Sequence, residues 1–96
     1  MAELLQDTEI EERVGGLDGW RRDGDAIVHD QKLPDFAAAI AYVNAVADAA
    51  EAANHHPDIL VHGWNNVRLS VTNHSAGGLT QADFDLAATI DALPGA

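Results

Sequence analysis

The chain has 96 residues, enough for one compact domain, and 47% of them are hydrophobic, which argues against intrinsic disorder. It contains no cysteine, so disulfides, thiolate metal sites and a cysteine nucleophile are excluded. Its formal net charge of −11 disfavours direct nucleic-acid binding, because an acidic surface repels phosphate backbones. The N-terminal segment is acidic where a secretory signal would be basic, and the apolar stretch Phe36–Val43 is far shorter than the roughly 20 residues that span a bilayer. We therefore expect a cytoplasmic protein without membrane contact.

The first part of the chain predicts a short helix and then a hairpin. The helix runs from about Asp7 to Val14, with one of its first two residues as the cap, and Gly15-Gly16 stop it. Two short runs follow, Gly19–Arg22 and Ala26–His29. The turn residues between them, Asp23-Gly24-Asp25, contain a DG pair, which is a strong hairpin signal.

The longest predicted helix lies in the middle of the chain, from about Asp35 to Asn54. Leu33-Pro34 precede it, and Pro57 ends the element because proline pushes the residue before it toward an extended backbone. We expect one apolar stripe of this helix to face the core. The stripe consists of Phe36, Ile40, Val43 and Ala47.

A second hairpin and a last helix complete the chain. Ile59–Trp64 and Val67–Thr72 read as strands joined by Asn65-Asn66. The helix runs from about Gln81 to Leu93, and Thr80 with Asp83 has the spacing of a capping box. Its buried face is expected to hold Leu86, Ile90 and Leu93. Two hairpins alternating with three helices predict one α+β domain over residues 1–96, a four-stranded antiparallel sheet with helices on one face.

Histidines are the candidates for chemistry, since imidazole exchanges protons near neutral pH. His55 and His56 lie where the long helix breaks into a strand, and His74 follows the second strand of that hairpin. Glu51 precedes His55 by four residues, hence on the same helical face, and is expected to fix the tautomer of that imidazole. The alternatives are a polar helix end for the two adjacent histidines and a surface Glu–His pair.

Other chemistries fit the sequence less well. Adjacent histidines rarely point at one ion, and no HExxH pattern is present, so we expect no metal. No nucleophile elbow or phosphate loop occurs. His29 and His62 are taken as structural residues, and Trp20 and Trp64 are by default core residues.

The spacing Glu51-x-x-x-His55-His56-Pro57, followed by Trp64, His74 and Asp83, resembles the signature of pterin-4a-carbinolamine dehydratases. Gly78-Leu79-Thr80-Gln81-Ala82-Asp83 is similar to the "GLT-x-x-D" segment of that family, and the likeness extends from about Leu17 to Ile90. A spaced motif of this length is far more specific than any single histidine in it.

The resemblance implies loss of water from a 4a-hydroxytetrahydropterin to give quinonoid dihydropterin during tetrahydropterin recycling, without a metal or redox cofactor. It implies three active-site histidines (His55, His56 and His74), two supporting carboxylates (Glu51 and Asp83) and two substrate-binding residues (Trp20 and Asp58). We expect His55 and His74 to transfer the protons and His56 to orient the ring, although these roles can permute. The family also implies a homodimer or homotetramer. The alternative is a non-catalytic binding module of the same fold, which acts as a dimerisation or assembly cofactor for a partner protein.

Overall fold

The computed structural model describes residues 3–94 and confirms the predicted α+β architecture. The helices are α1 (Asp7–Gly15), α2 (Phe36–Ala53) and α3 (Gln81–Asp91). The strands are β1 (Trp20–Asp23), β2 (Ala26–Lys32), β3 (Asp58–His62) and β4 (Asn66–Val71).

The four strands form one antiparallel sheet in the order β1-β2-β4-β3. Each hairpin pairs internally, and β2 joins β4 along six residue pairs, from Ile27 with Val71 to Lys32 with Asn66. β2 is three residues longer than predicted. Its pairing with β1 ends at His29, but its pairing with β4 continues to Lys32. The two second strands of the hairpins therefore lie at the centre of the sheet.

The two hairpin turns differ in chemistry. Asp23 pairs with Ala26, so the first turn is two residues long and begins with Gly24, which has a positive φ of 60°. The predicted Asn65-Asn66 turn of the second hairpin is wrong. His62 pairs with Asn66, so the chain turns at residues 63–65, where Gly63 and Trp64 both have positive φ.

Asn65 has a different use from the one predicted. Its side chain is buried and donates through Nδ2 to the carbonyl of Leu33 at 2.9 Å, and its own carbonyl accepts from the Leu33 amide at 2.8 Å. These bonds fasten the second turn to the segment that leads into α2. The predicted cap of α1 is also wrong by one residue, because Gln6 is the N-cap and forms a capping box with Glu9.

The predicted core stripe of α2 is wrong, because the helix buries a different face. Ala39, Tyr42, Val46 and Ala50 are buried, whereas Phe36 and Ile40 are 54% and 36% exposed. The buried residues include alanines, whose small side chains let the helix lie close to its neighbours β4 and α3. The larger apolar residues of the predicted stripe are consequently left at the surface.

The apolar segment of α2 is also longer than the sequence reading suggested. Within residues 3–94, α2 is the one helix whose length and composition would suit a membrane span, with a mean hydropathy of 1.2 and 22% of its residues buried. Its buried residues Ala39, Tyr42 and Val46 belong to the same core cluster as Leu69 of β4 and Ile90 of α3. The helix therefore packs against β4 and α3 through its buried face and leaves a second apolar face exposed.

Candidate active site

His55 is carried inward by the way α2 ends. Asn54 adopts the left-handed conformation, with φ 50° and ψ 43°, and the amide of His55 donates to the carbonyl of Ala50 at 3.0 Å. The side chain of His55 is 15% exposed, and its Nε2 lies 2.5 Å from Oδ1 of Asp83, which is fully buried. One imidazole–carboxylate contact thus links the end of α2 to the first turn of α3.

Asp83 uses both of its oxygens. Oδ2 accepts from the Thr80 amide at 2.8 Å and from the Thr80 hydroxyl at 3.3 Å, so the predicted capping box is confirmed. Because the cap fixes one carboxylate oxygen, the other is held toward His55. With Nε2 of His55 engaged, Nδ1 is the ring nitrogen that remains to exchange a proton with a ligand.

Glu51 pairs with His56 and not with His55. Its Oε2 lies 3.0 Å from Nε2 of His56, and the two side chains are 75% and 58% exposed. The expected Glu51–His55 pair fails because the helix ends at Ala53, so the left-handed Asn54 turns His55 away from the helical face on which Glu51 lies. Glu51 therefore accompanies the outer of the two adjacent histidines.

His74 lies on a short loop after β4 that its neighbours hold in place. The amides of Gly77 and Gly78 donate to the carbonyl of Asn73 at 2.9 and 3.2 Å, and the amide of Ala76 donates to Oδ1 of Asn73 at 3.0 Å. His74 is exposed and lines an open recess of about 300 Å³. The other lining residues are Asp23, Asp25, Ala26, Thr72, Asn73, Gly77 and Gly78.

The His74 loop and the His55–Asp83 pair belong to one hydrogen-bond network. Nδ2 of Asn73 donates to the Thr80 hydroxyl at 3.5 Å, and that hydroxyl in turn donates to Asp83. Asn73 and Thr80 were not singled out as site residues from the sequence. The signal for Asn73 was its position as an asparagine opening a small-residue turn, where its side chain commonly bonds the backbone a few residues on.

The two expected substrate-binding residues lie apart from this network. Trp20 is 6% exposed, packs at 5.0 Å from the ring of His29 and donates through Nε1 to Asp91 at 2.9 Å. These are contacts of a core residue, so Trp20 lies in the core, as the default reading expected. The same default is wrong for Trp64, which is 62% exposed in the second hairpin turn, where its φ is positive. Asp58 is exposed at the first position of β3, two residues beyond His56. A substrate contact for either residue stays a prediction.

No group of three or more His, Cys, Asp or Glu side chains within residues 3–94 is arranged to hold a metal ion. His62 is exposed at the end of β3, whereas His29 is buried in β2, and its Nδ1 has no hydrogen-bond partner in the described part of the chain. The hydrogen-bond network therefore connects the side chains of His55 and Asp83 with the loop that carries His74.

The sequence as a whole also matches a known protein family. The model of the family described as pterin 4 alpha carbinolamine dehydratase matches residues 3–93, including the N-terminal segment that the motif left unmatched. The chain belongs to the pterin 4 alpha carbinolamine dehydratase family. Among its relatives, a Roseiflexus sp. protein is 57% identical over 97% of this chain and 99% of its own, and a Nostoc sp. protein is 47% identical over the same shares. Both carry the name pterin-4-alpha-carbinolamine dehydratase provisionally.

Solved structures of the family show the same fold. A transcriptional coactivator/pterin dehydratase from Brucella melitensis superposes with a TM-score of 0.88 at 30% identity, over 94% of this chain and 97% of that one. A pterin dehydratase-like protein described as a RuBisCO assembly factor in the alpha-carboxysome gives a TM-score of 0.67 at 26% identity, over 81% and 92% of the two chains. The family fold thus occurs in proteins described by different roles.

Proposed function

We propose that this protein is a cytoplasmic 4a-hydroxytetrahydropterin dehydratase that works by acid–base catalysis at His55, His56 and His74. The observation that carries the proposal is the His55–Asp83 pair, because a buried carboxylate at 2.5 Å orients the ring for proton exchange. Family membership and relatives at 43–57% identity support the substrate class. Roles for individual residues rest on the motif and on this geometry.

The proposed reaction needs two proton transfers and no net change in protons. One imidazolium protonates the 4a-hydroxyl, which leaves as water, while a neutral imidazole takes the proton from N5 of the ring. The electron pair of the N5–H bond then forms the N5–C4a double bond. His55, held by Asp83, and His74, on its hydrogen-bonded loop, are the proposed pair, and His56 with Glu51 orients the ring.

The proposal includes a homodimer or homotetramer. Phe36 and Ile40 leave an apolar face on α2 uncovered, and Leu60 is 51% exposed on the edge strand β3. Burying such surface is favourable by about 25 cal/mol per Å², which gives two copies a reason to associate. Size-exclusion chromatography with light scattering measures the state directly.

The competing function is a binding module for a partner protein. The observations that favour it are the same exposed apolar residues and the likeness to a protein described as a RuBisCO assembly factor. A pure binding module needs a surface but not a buried imidazole–carboxylate pair, so the His55–Asp83 pair favours the enzyme.

A dehydration assay on the 4a-carbinolamine, followed by ultraviolet absorbance, tests the proposal. We expect His55→Ala and His74→Ala each to lower kcat by about 10²–10⁴-fold, the usual contribution of a general acid or base. His62→Ala is the matched control, because His62 is an exposed histidine at the end of β3 outside the network. Wild-type protein that performs no better than buffer would favour the binding module.

A further inference from the structure

Two carboxylates that are absent from the family-like motif line the recess at His74. Asp23 and Asp25 flank Gly24 in the first hairpin turn and share the recess of about 300 Å³ with Thr72, Asn73 and His74. We propose that Asp23 and Asp25 are specificity-determining residues of the pterin site, which select pterins with a neutral substituent at position 6 over pterins with an anionic one. The inference rests on the proposed function, since it concerns the ligand of the same site.

The hairpin turn is fastened to the strand that leads into His74. The Thr72 hydroxyl donates to the Asp25 carbonyl, which ties the turn to the residue two before His74. A Cβ at Gly78 would lie 3.7 Å from Oδ1 of Asp25, an ordinary contact distance, so the Asp25 carboxylate lies beside Gly78, which also lines the recess. The backbone of the hairpin turn thus places both aspartates in the wall of the recess.

No lysine or arginine is among the residues that line the recess. The guanidinium of Arg22, the residue before Asp23, donates to the Gly24 carbonyl at 2.9 Å and pairs with Asp7 at 3.0 Å. The pKa of Arg68 is raised first by its hydrogen bond to Asp30 at 2.7 Å and to a smaller extent by the charge of Asp23. The same Arg68–Asp30 pair lowers the pKa of Asp30. Asp23 and Asp25 therefore contribute negative charge to the recess wall, while Arg22 is paired with Asp7 and Arg68 with Asp30.

Their charge discriminates between ligands of the same shape. Carboxylates accept hydrogen bonds from the amino, amide and hydroxyl donors of a neutral pterin, but they repel a carboxylate tail. Two like charges in the recess wall weaken the binding of an anion there by about tenfold, and salt screens most of this effect. A pterin that carries a carboxylate, phosphate or glutamate tail is accordingly a poor ligand.

The test uses two fluorescent pterins that differ only in that charge, 6-hydroxymethylpterin and 6-carboxypterin. Their dissociation constants are measured near neutral pH by fluorescence titration, at about 0.02 M and about 0.5 M salt. We expect wild type at low salt to bind the carboxylate about tenfold more weakly, and we expect high salt to shrink the ratio. Asp23→Asn/Asp25→Asn should bring the ratio to about two or less. The Asn-Gly pair that it creates suits a tight hairpin turn, so the variant is expected to fold.

Asp48→Asn is the matched control, because Asp48 is exposed on α2 and does not line the recess. The inference is overturned if wild type binds both pterins equally, or if Asp48→Asn changes the ratio as much as the double variant does. A protein that dehydrates the carbinolamine but does not discriminate would refute this inference alone. A protein that binds neither pterin would refute the proposed function with it.

Discussion

Replacing Asp83 by asparagine reverses the hydrogen-bond polarity seen by His55 while keeping the shape of the side chain. Thr80 presents an amide donor to Oδ2 of Asp83, so an asparagine must keep its single oxygen on Thr80. Its NH₂ group then faces Nε2 of His55, which can only accept. Consequently the ring proton moves to Nδ1, the nitrogen that the wild type leaves for the ligand.

The magnitude follows from the bond that is exchanged. A hydrogen bond to a charged group contributes about 1.5–3 kcal/mol and a neutral one about 0.5–1.5 kcal/mol, so Asp83→Asn should cost about 1–1.5 kcal/mol of stability. For a domain of this size that lowers Tm by about 4–12 °C. The effect on turnover is larger, because a histidine in the wrong tautomer loses most of its general acid–base contribution, about 10²–10⁴-fold.

Three measurements on Asp83→Asn separate these effects: thermal unfolding, turnover of the carbinolamine, and the nitrogen chemical shifts of the His55 ring. Asp85→Asn is the matched control, since Asp85 lies on the same helix but is exposed and its carboxylate accepts from the exposed side chain of Gln81. If Asp83→Asn turns over as fast as Asp85→Asn, or if the ring shifts show no change of tautomer, the assigned role of the pair is refuted.

Two further predictions concern stability. Among residues 3–94 the buried Tyr42 hydroxyl has no hydrogen-bond partner, so Tyr42→Phe should leave the free energy of unfolding unchanged or raise it by up to about 1 kcal/mol. A clear loss of stability in denaturant unfolding would contradict this. Burial, with the charge of Asp91, raises the pKa of Tyr42 from 10.0 to about 12. The free energy of unfolding should therefore fall as the pH rises through that window, because the tyrosine releases its proton first in the unfolded state. The absorbance of this residue, the sole tyrosine of the sequence, follows the titration. Glu51→Gln should change the unfolding free energy by less than about 0.5 kcal/mol, since exposed ion pairs contribute little, and a loss above about 1 kcal/mol would show that the pair with His56 is structural.

Local signals in the sequence predict most of the fold. The Asp-Gly pair fixes the first hairpin, and the Thr80–Asp83 capping box marks the start of α3. The second turn was misplaced because asparagine and glycine both tolerate positive φ, and the choice of Gly63 and Trp64 depends on Asn65 docking against Leu33. The pairing of β2 with β4 is a long-range contact for which turn chemistry carries no information.

The face of α2 that packs inward could not be predicted for a related reason. The helix is apolar on more than one side, so periodicity alone offers two stripes, one with Phe36 and Ile40 and one with Tyr42 and Val46. Selection between them depends on how closely the helix approaches the sheet and α3. The small side chain of Ala39, fully buried, permits that approach on the second stripe.

The candidate residues were named from the sequence, but their pairing was not predicted, and the cause is one backbone residue. Asn54 is the left-handed cap that ends α2, so the two adjacent histidines leave the helical path and meet different environments. His55 turns toward buried Asp83, whereas His56 stays at the surface with Glu51. A fixed tautomer requires an immobile partner, and only the buried carboxylate is immobile, since the capping box holds its second oxygen. We therefore propose proton transfer as the role of His55, and contact with the ligand as the role of the exposed His56.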